Sequence, residues 1–277
     1  DGYPSGFDFP KGCVPNIAGY FDRGWCFCES SVSNLTKDSF KVLDLGAISG
    51  TTTKFSDALM ECCRTQRRPP ISPQQFTLEL ATKKFTSKAA DEKKVSNLYK
   101  NAFKNQMGPA KVLEFSMLGW GHEELAVLAQ ALTAEALPNL EVLDLSRNPM
   151  GDAGCTALAK AFAAGASPNL TKLFLSGSHL GPGRPPLPKP GTQIGDAGCT
   201  ALVEVFAAGA LPKLEDLNLG CNMIGPDGIT ALAEALAAGA LPKLEKLNIR
   251  GNLYKKAGMT MWRTWKDLHK DESKLSR

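Results

Sequence analysis

Few side chains in this sequence have the type and spacing that enzyme or metal chemistry requires. The three histidines stand far apart: His122, His179 and His269. None of them lies near a cysteine or carboxylate at the spacing of metal ligands, and Cys26-x-Cys28 with Cys13 lacks a fourth ligand nearby. No serine–histidine–aspartate arrangement or pair of acids can be argued either. We therefore predict no catalytic residue, no metal site and no enzymatic activity.

One glycine turn has the local character of a phosphate cradle. The turn Gly46-Ala-Ile-Ser-Gly50 follows a predicted strand at 41–45 (KVLDL) and precedes a run of threonines. Its spacing fits neither G-x-G-x-x-G nor G-x-x-x-x-G-K-[ST], because no glycine precedes Lys54. The sequence therefore predicts no bound nucleotide and no other cofactor.

The eight cysteines do not form the pattern of a disulfide framework. Cys155 and Cys199 occupy the same apolar position in two similar segments, where we expect small core residues. Cys26 and Cys28 are interpreted as buried or free thiols. This usage is typical of an intracellular, reducing compartment, either the cytoplasm or an organelle. The chain does not begin with methionine and shows no signal-like region, so a targeting segment is not visible.

Charge and hydropathy argue against two classes of partner. The net charge is +4, and residues 111–277 contain as many Lys and Arg as Asp and Glu. A neutral region of this size gives no electrostatic case for nucleic-acid binding. No stretch approaches the roughly 18 consecutive apolar residues of a transmembrane helix, so direct membrane insertion is not expected.

The elements that must position these side chains are strongly repetitive. Residues 140–169 (LEVLDLSRNPMGDAGCTALAKAFAAGASPN) and 214–243 (LEDLNLGCNMIGPDGITALAEALAAGALPK) are two copies of one pattern. One position of the pattern, spaced by 30, 30, 44 and 30 residues, is occupied by five leucines: Leu113, Leu143, Leu173, Leu217 and Leu247. A fixed period near 30 residues is the signature of a repeat architecture.

Each copy is predicted to form a strand, a turn and a helix. The alternation Leu143-Asp144-Leu145 is typical of a short strand with one buried face. Asn148 follows where the chain turns, because a side-chain amide can both donate to and accept from buried backbone groups. Asp152 is predicted to be the N-cap of the helix. The helix has one apolar face: Cys155, Leu158 and Phe162. Such a unit cannot bury its apolar side alone, so its neighbours must stack on it.

The run L-x-x-L-x-L-x-x-N with GDAGxxALAxAL resembles leucine-rich repeats, in particular the long strand–helix class similar to ribonuclease inhibitor. The resemblance covers residues 113–256 in five copies, the first of which has Leu118 in place of the asparagine. It implies an α/β solenoid with parallel strands on the concave face and helices on the convex face. It also implies that the chain binds proteins and does not catalyse a reaction.

Residues 1–109 are predicted to be a mixed α/β or helical capping segment. An aromatic-rich loop is expected before a helix that carries Val32 and Leu35. Three further elements are predicted: a strand near 41–45 and helices near 73–85 and 90–104. The segment also weakly resembles the tail of a flavodoxin- or TIR-like module that is found ahead of repeats in protist proteins.

Five repeats are assigned to residues 110–256, and the third contains a proline-rich insertion at 181–192 (GPGRPPLPKPGT). The insertion is predicted to be a short polyproline II stretch, which is either a stiff spacer or a partner-binding site. Its candidate binding residues are Arg184, Pro185, Pro186, Leu187 and Pro188. Residues 257–277 are predicted to be a capping helix and a charged tail that faces water. Four residues of the helix are predicted to cover the last repeat: Met259, Met261, Trp262 and Trp265.

Side chains that alternate with the buried leucines must face away from the core. Because neighbouring strands lie about 4.8 Å apart, Glu114 and Asp144 are expected to be neighbours of like charge near Phe174, an apolar anchor. The acidic end favours a basic partner segment. Ten residues are predicted to bind a partner on this concave face: Glu114, Asp144, Arg147, Lys172, Phe174, Asp216, Asn218, Lys246, Asn248 and Arg250. The alternative is a solvated sheet without a partner.

Two functions remain open from the sequence. In the first, the protein is a non-catalytic interaction scaffold or assembly subunit that binds one or more proteins, including within a large complex. In the second, it is the recognition arm of a larger sensor or enzyme whose catalytic α/β domain lies upstream of residue 1. Both functions require the repeats to bind protein.

Overall fold

The structure is a computed structural model of the 277-residue chain. It describes residues 18–39, 41–42, 67–85, 88–134, 137–177, 193–253, 261, 263–265 and 275–276. The strand predicted near 41–45 lies mostly outside these ranges, and the described residues 41–42 are not part of a strand. The proline-rich insertion at 181–192 lies wholly outside them.

Within the described ranges, six parallel strands form one sheet in the order of the sequence. The strands are β1 (Val112–Glu114), β2 (Val142–Asp144), β3 (Lys172–Phe174), β4 (Asp216–Asn218), β5 (Lys246–Asn248) and β6 (Leu275–Ser276). The register aligns five buried leucines on adjacent strands: Leu113, Leu143, Leu173, Leu217 and Leu247. The predicted α/β solenoid is therefore confirmed.

Seven α-helices and one short 3-10 helix, Tyr20–Asp22, accompany the strands in the part of the chain that the structure describes. The α-helices are α1 (Gly24–Ser33), α2 (Pro73–Leu80), α3 (Lys88–Met107), α4 (His122–Ala134), α5 (Gly151–Ala163), α6 (Asp196–Ala207) and α7 (Pro226–Ala237). The last four alternate with the strands, and consecutive members of these four pack against each other. The face of α5 that was predicted to be apolar, Cys155, Leu158 and Phe162, is buried.

Asn148 supports the turn after β2 with four hydrogen bonds. Its Oδ1 accepts from the backbone N–H groups of Leu118 and Trp120, at 3.0 and 3.1 Å. Its Nδ2 donates to the carbonyl oxygens of Phe115 and Leu145, at 2.7 and 3.0 Å. The amide therefore satisfies backbone groups of its own repeat and of the preceding one, where water cannot reach them.

The same arrangement recurs in later repeats. Asn222 accepts from the N–H of Ile194 at 3.3 Å and donates to the carbonyl oxygen of Leu175 at 2.9 Å. Asn252 accepts from the N–H of Ile224 at 3.0 Å. These asparagines form a ladder of polar contacts that joins one repeat to the next.

The aspartate at the start of α5 caps the neighbouring helix. The prediction that Asp152 is the N-cap of its own helix is wrong, because α5 begins at Gly151 and Asp152 lies in its first turn. Its Oδ1 instead accepts from the N–H groups of Gly195 and Gly198 at the start of α6, at 2.6 and 2.9 Å. The first N–H groups of a helix have no partner within it, so this carboxylate joins two repeats.

Asp196 repeats this contact one unit later. Its Oδ1 accepts from the N–H groups of Gly225 and Gly228, at 2.7 and 2.8 Å. Glycine is needed at the capped end, since a Cβ on Gly198 would lie 2.7 Å from Oδ1 of Asp152. The Gly-Asp-Ala-Gly spacing therefore provides both the start of a helix and the hydrogen bonds that join one repeat to the next.

The N-terminal segment packs through a stack of aromatic rings. Phe27 of α1, Phe76 of α2 and Tyr99 of α3 lie nearly parallel, with successive ring centroids 5.0 and 3.8 Å apart. The Tyr99 hydroxyl donates to the carbonyl oxygen of Ile71 at 2.7 Å. All four side chains are buried, so this stack is the centre of the segment.

Helix α1 begins earlier than the sequence predicts. Trp25–Cys28 belongs to the stretch expected to be an aromatic-rich loop, yet it is helical, and the helix ends at Ser33. Leu35 is buried but follows the helix. No side chain caps the start of α1, so local signals did not indicate it. The packing of Phe27 into the aromatic stack stabilises the helix instead.

The N-terminal segment and the repeats share one core. Trp120 of the first repeat is buried and donates from Nε1 to the carbonyl oxygen of Arg67 at 2.7 Å. The Arg67 guanidinium lies 5.4 Å from the ring centroid of Phe115 and donates to the carbonyl oxygen of Asp38 at 2.8 Å. The open end of the first repeat is therefore covered.

At the other end, Met261 and Trp265 are buried in the same core. The final strand, β6, pairs with β5 in parallel and places Leu275 opposite Leu247. The sequence predicted that the whole tail faces water. Leu275 and Ser276 of this tail lie at the edge of the sheet.

Candidate binding surface

The outward side chains of the sheet form two rows across the concave face. In each of the first five strands a buried leucine separates two less buried residues. The row before the leucines consists of Val112, Val142, Lys172, Asp216 and Lys246. The row after them, which we call the second row, consists of Glu114, Asp144, Phe174, Asn218 and Asn248. The strand register thus brings together eight of the ten residues predicted on this face.

Three residues of the second row are held by local turns. Oδ1 of Asp144 accepts from the N–H of Ser146 at 2.8 Å. Asn218 and Asn248 likewise accept, at 3.0 Å in both cases, from the N–H two residues later. An Asx turn of this kind fixes the side chain and occupies one of its oxygens. The sequence reasoning missed this structural role, although an Asp or Asn at the end of a strand is its usual signal.

Phe174 interrupts the series of turn-forming residues. It lies between Asp144 and Asn218 in the register, and its ring is only partly buried. A phenyl ring cannot form an Asx turn, so the fold does not require this residue type here. Partly exposed aromatic side chains are the usual anchors of protein interfaces.

Glu114 and Asp144 are direct neighbours in the second row. Two nearby lysines are engaged elsewhere, since Lys111 Nζ lies 2.9 Å from Glu141 Oε1 and Lys41 pairs with an aspartate of its own loop. In the part of the chain that the structure describes, neither Glu114 nor Asp144 takes part in an ion pair. Among the described residues, this end of the face therefore carries negative charge that no ion pair neutralises, although the pKa of the Lys41 ammonium group is raised by its hydrogen bond with that aspartate and, less strongly, by the nearby Glu114.

Asp216 has the opposite surroundings. The register places it between Lys172 and Lys246 in the first row. Burial raises the pKa of its carboxyl group, and the attraction of the two lysines lowers it by a smaller amount. The concave face is therefore acidic over β1 and β2, whereas the acid of β4 has cations on both sides.

The remaining two predicted residues, Arg147 and Arg250, are exposed near the ends of their strands. Arg147 has a positive φ of 61°, and its guanidinium lies 3.6 Å from the Sδ of Met117. Arg250 stands two positions after the second row, and the first four strands have small residues at that position: Ser116, Ser146, Ser176 and Gly220. Because these side chains are small, a partner can approach the backbone closely at this position. The five candidates at 184–188 lie outside the described residues.

The described side chains show no arrangement for metal binding. The five cysteines in the described ranges are free thiols. Burial raises the pKa of Cys28 to about 11 and that of Cys199 to about 12, so both thiols stay protonated and unreactive near neutral pH. Cys155 is fully buried and donates to the carbonyl oxygen of Gly198 at 3.3 Å, which confirms a core role. Within the same ranges, no helix is long and apolar enough to cross a membrane.

A cavity of about 380 Å³ lies between the N-terminal segment and the first repeat. Two of its charged residues already have partners. Arg68 pairs with Glu79 at 2.7 Å, and Glu124 accepts from the N–H of Gly121 at 2.9 Å. The first contact lies within the N-terminal segment and the second within the first repeat, so neither charge is left without a partner in the cavity.

Comparison with known families agrees with this geometry. The family model described as Leucine Rich repeat matches residues 136–159 and 210–233. Each match contains one strand, the turn after it and the first part of the next helix. The fold is an α/β leucine-rich repeat solenoid. Repeats of this family typically mediate protein–protein interaction, and no curated protein matches the chain.

Proposed function

We propose that this protein is a non-catalytic interaction scaffold or assembly subunit that binds a partner protein through the concave face of its leucine-rich repeats. The observation that carries the proposal is Phe174, a partly exposed aromatic residue in a row whose neighbours on both sides are polar. Its ring offers apolar surface at the middle strand, β3, where a partner can exclude water from it.

The rigidity of the sheet supports the same proposal. Asn148 and Asn222 hold the turns beneath the face, and Asx turns fix the side chains of the second row. A surface that is already ordered loses little conformational entropy when a partner binds. The small residues two positions after the second row, Ser116, Ser146, Ser176 and Gly220, add room for the partner's backbone beside the first four strands.

We further propose that the repeats are of the ribonuclease-inhibitor-like class. The support is the period of 30 residues between most of the aligned leucines and a helix of 12 or 13 residues after each of the first four strands. The free thiols of the described cysteines support our proposal of a reducing compartment.

The test compares the proteins that co-purify with tagged wild-type protein and with the Phe174→Ala and Asp144→Arg variants. Glu204→Arg, an exposed position on α6, is the matched control for an altered charge on the convex side. We expect at least one protein to be recovered with the wild type and the control but to fall about tenfold with either concave variant. Equal recovery with all four proteins would exclude the concave face.

A further inference from the structure

We infer that the concave face recognises an extended partner segment in which a cationic residue stands two positions from an apolar residue. This inference rests on the proposed function, because it names the chemistry of the partner at the same face. The cationic side chain lies between Glu114 and Asp144, and the apolar side chain contacts Phe174. These three residues are consecutive in the second row.

The charge on this part of the face calls for a cation. Glu114 is exposed and Asp144 is partly exposed, and the ion pairs of the described residues include neither of them. Arg147 is the cation nearest to Asp144 in sequence, but its guanidinium lies against the Sδ of Met117. The cations near Glu114, Lys111 and Lys41, pair with Glu141 and Asp38. A lysine or arginine between the two carboxylates removes the repulsion of like charges on neighbouring strands.

The spacing of the row sets the spacing in the partner. Neighbouring strands lie about 4.8 Å apart, so the midpoint between Glu114 and Asp144 lies roughly 7 Å from Phe174. In an extended segment, side chains two residues apart point the same way and stand about 6.8 Å apart. A segment that crosses the strands therefore places a cationic residue and an apolar residue over these two points with one residue between them.

The other half of the second row lacks this chemistry. Asn218 and Asn248 occupy the corresponding positions of β4 and β5, and they form the same Asx turn as Asp144. An amide thus satisfies the turn as well as a carboxylate does. The charge of Asp144 is therefore not needed for the fold, and Asp144→Asn removes it while keeping the turn.

The experiment selects binders from a random peptide library with immobilised full-length chain. It uses the wild type, the double variant Glu114→Gln/Asp144→Asn, and, as a matched control, Glu204→Gln at an exposed position on α6. We expect the wild type and the control to select Lys or Arg two positions from an apolar residue. The double variant loses this preference and binds a selected peptide about three- to tenfold more weakly.

A wild-type selection without a cationic preference would overturn the inference, as would a preference that the double variant keeps. Phe174→Ala separates this failure from failure of the proposed function. If selected peptides depend on Phe174 but not on the carboxylates, the binding face stands and the cationic residue is wrong. If no peptide is selected, or if none depends on Phe174, both conclusions are wrong.

Discussion

The repeats and the N-terminal segment hold their cores together in different ways. In the repeats the same contacts recur, so that Asn148 and Asn222 make equivalent bonds, as do Asp152 and Asp196. In the N-terminal segment each contact occurs once, and the stack of Phe27, Phe76 and Tyr99 has no counterpart elsewhere in the described residues. The comparison teaches that stability in the repeats is distributed over similar units, whereas that of the segment depends on a few large side chains.

Removing the middle ring of the stack is expected to have the largest effect. Phe76→Ala deletes a fully buried aromatic side chain and should lower the free energy of unfolding by about 3–5 kcal/mol. Leu78→Ala on the same helix is the control, because Leu78 is 68% exposed, and it should change stability by less than about 0.5 kcal/mol. Urea denaturation measures both, and equal effects would contradict the placement of the stack.

Replacing a single turn asparagine should lower the free energy of unfolding nearly as much. Asn148→Leu keeps the number and branching of the side-chain non-hydrogen atoms but leaves two N–H groups and two carbonyl oxygens without their partner, which should cost about 2–4 kcal/mol. Asn139 is an exposed asparagine with one bond, to the carbonyl oxygen of Gly108, so Asn139→Ala should cost less than about 1 kcal/mol. Urea denaturation again measures both variants. If Asn148→Leu lowers the free energy of unfolding no more than the control does, water replaces the hydrogen bonds of the amide.

These two regions also differ in how far the sequence predicts them. Periodicity predicts the aligned leucines, the buried Cys155 and the turn asparagines, because each repeat packs against its neighbours in the same way. It does not predict helix α1, since the packing of Phe27 against Phe76 decides it and nothing local indicates that contact. The register of the concave rows was predicted. The Asx turns within them are local, and an Asp or Asn at the end of a strand is their signal, whereas the cap from Asp152 depends on how the next helix packs.

The cap between repeats should give a smaller and more local effect. Asp152→Ala removes the acceptor for the N–H groups of Gly195 and Gly198 and should cost about 1–2 kcal/mol. Amide hydrogen exchange at the start of α6 should become faster than in the wild type. Asp227, in the first turn of α7, has no such bond among the described residues, so Asp227→Ala should leave exchange unchanged. Equal exchange in the two variants would show that the carboxylate does not cap α6.

The smallest effect concerns the pH dependence of stability. The pKa of Asp216 is raised above its ordinary value of 3.8, so the folded state binds this proton more tightly than the unfolded state does. Its contribution to stability therefore falls as pH rises from 3.8 through the folded-state pKa. Asp216→Asn should raise Tm at pH 7 by less than about 2 °C, and the difference should shrink towards pH 4. A variant that is less stable at pH 7 would show that the attraction of Lys172 and Lys246 outweighs burial.

Photo-crosslinking from the concave and convex sides tests the central claim most directly. A photoreactive phenylalanine analogue is placed at Phe174 in one variant and at Glu204 of α6 in another, and both are irradiated in an extract of the native cell. We predict a specific protein adduct from position 174 that is absent from position 204. Adducts only at position 204, or the same adducts at both, would contradict binding through the concave face.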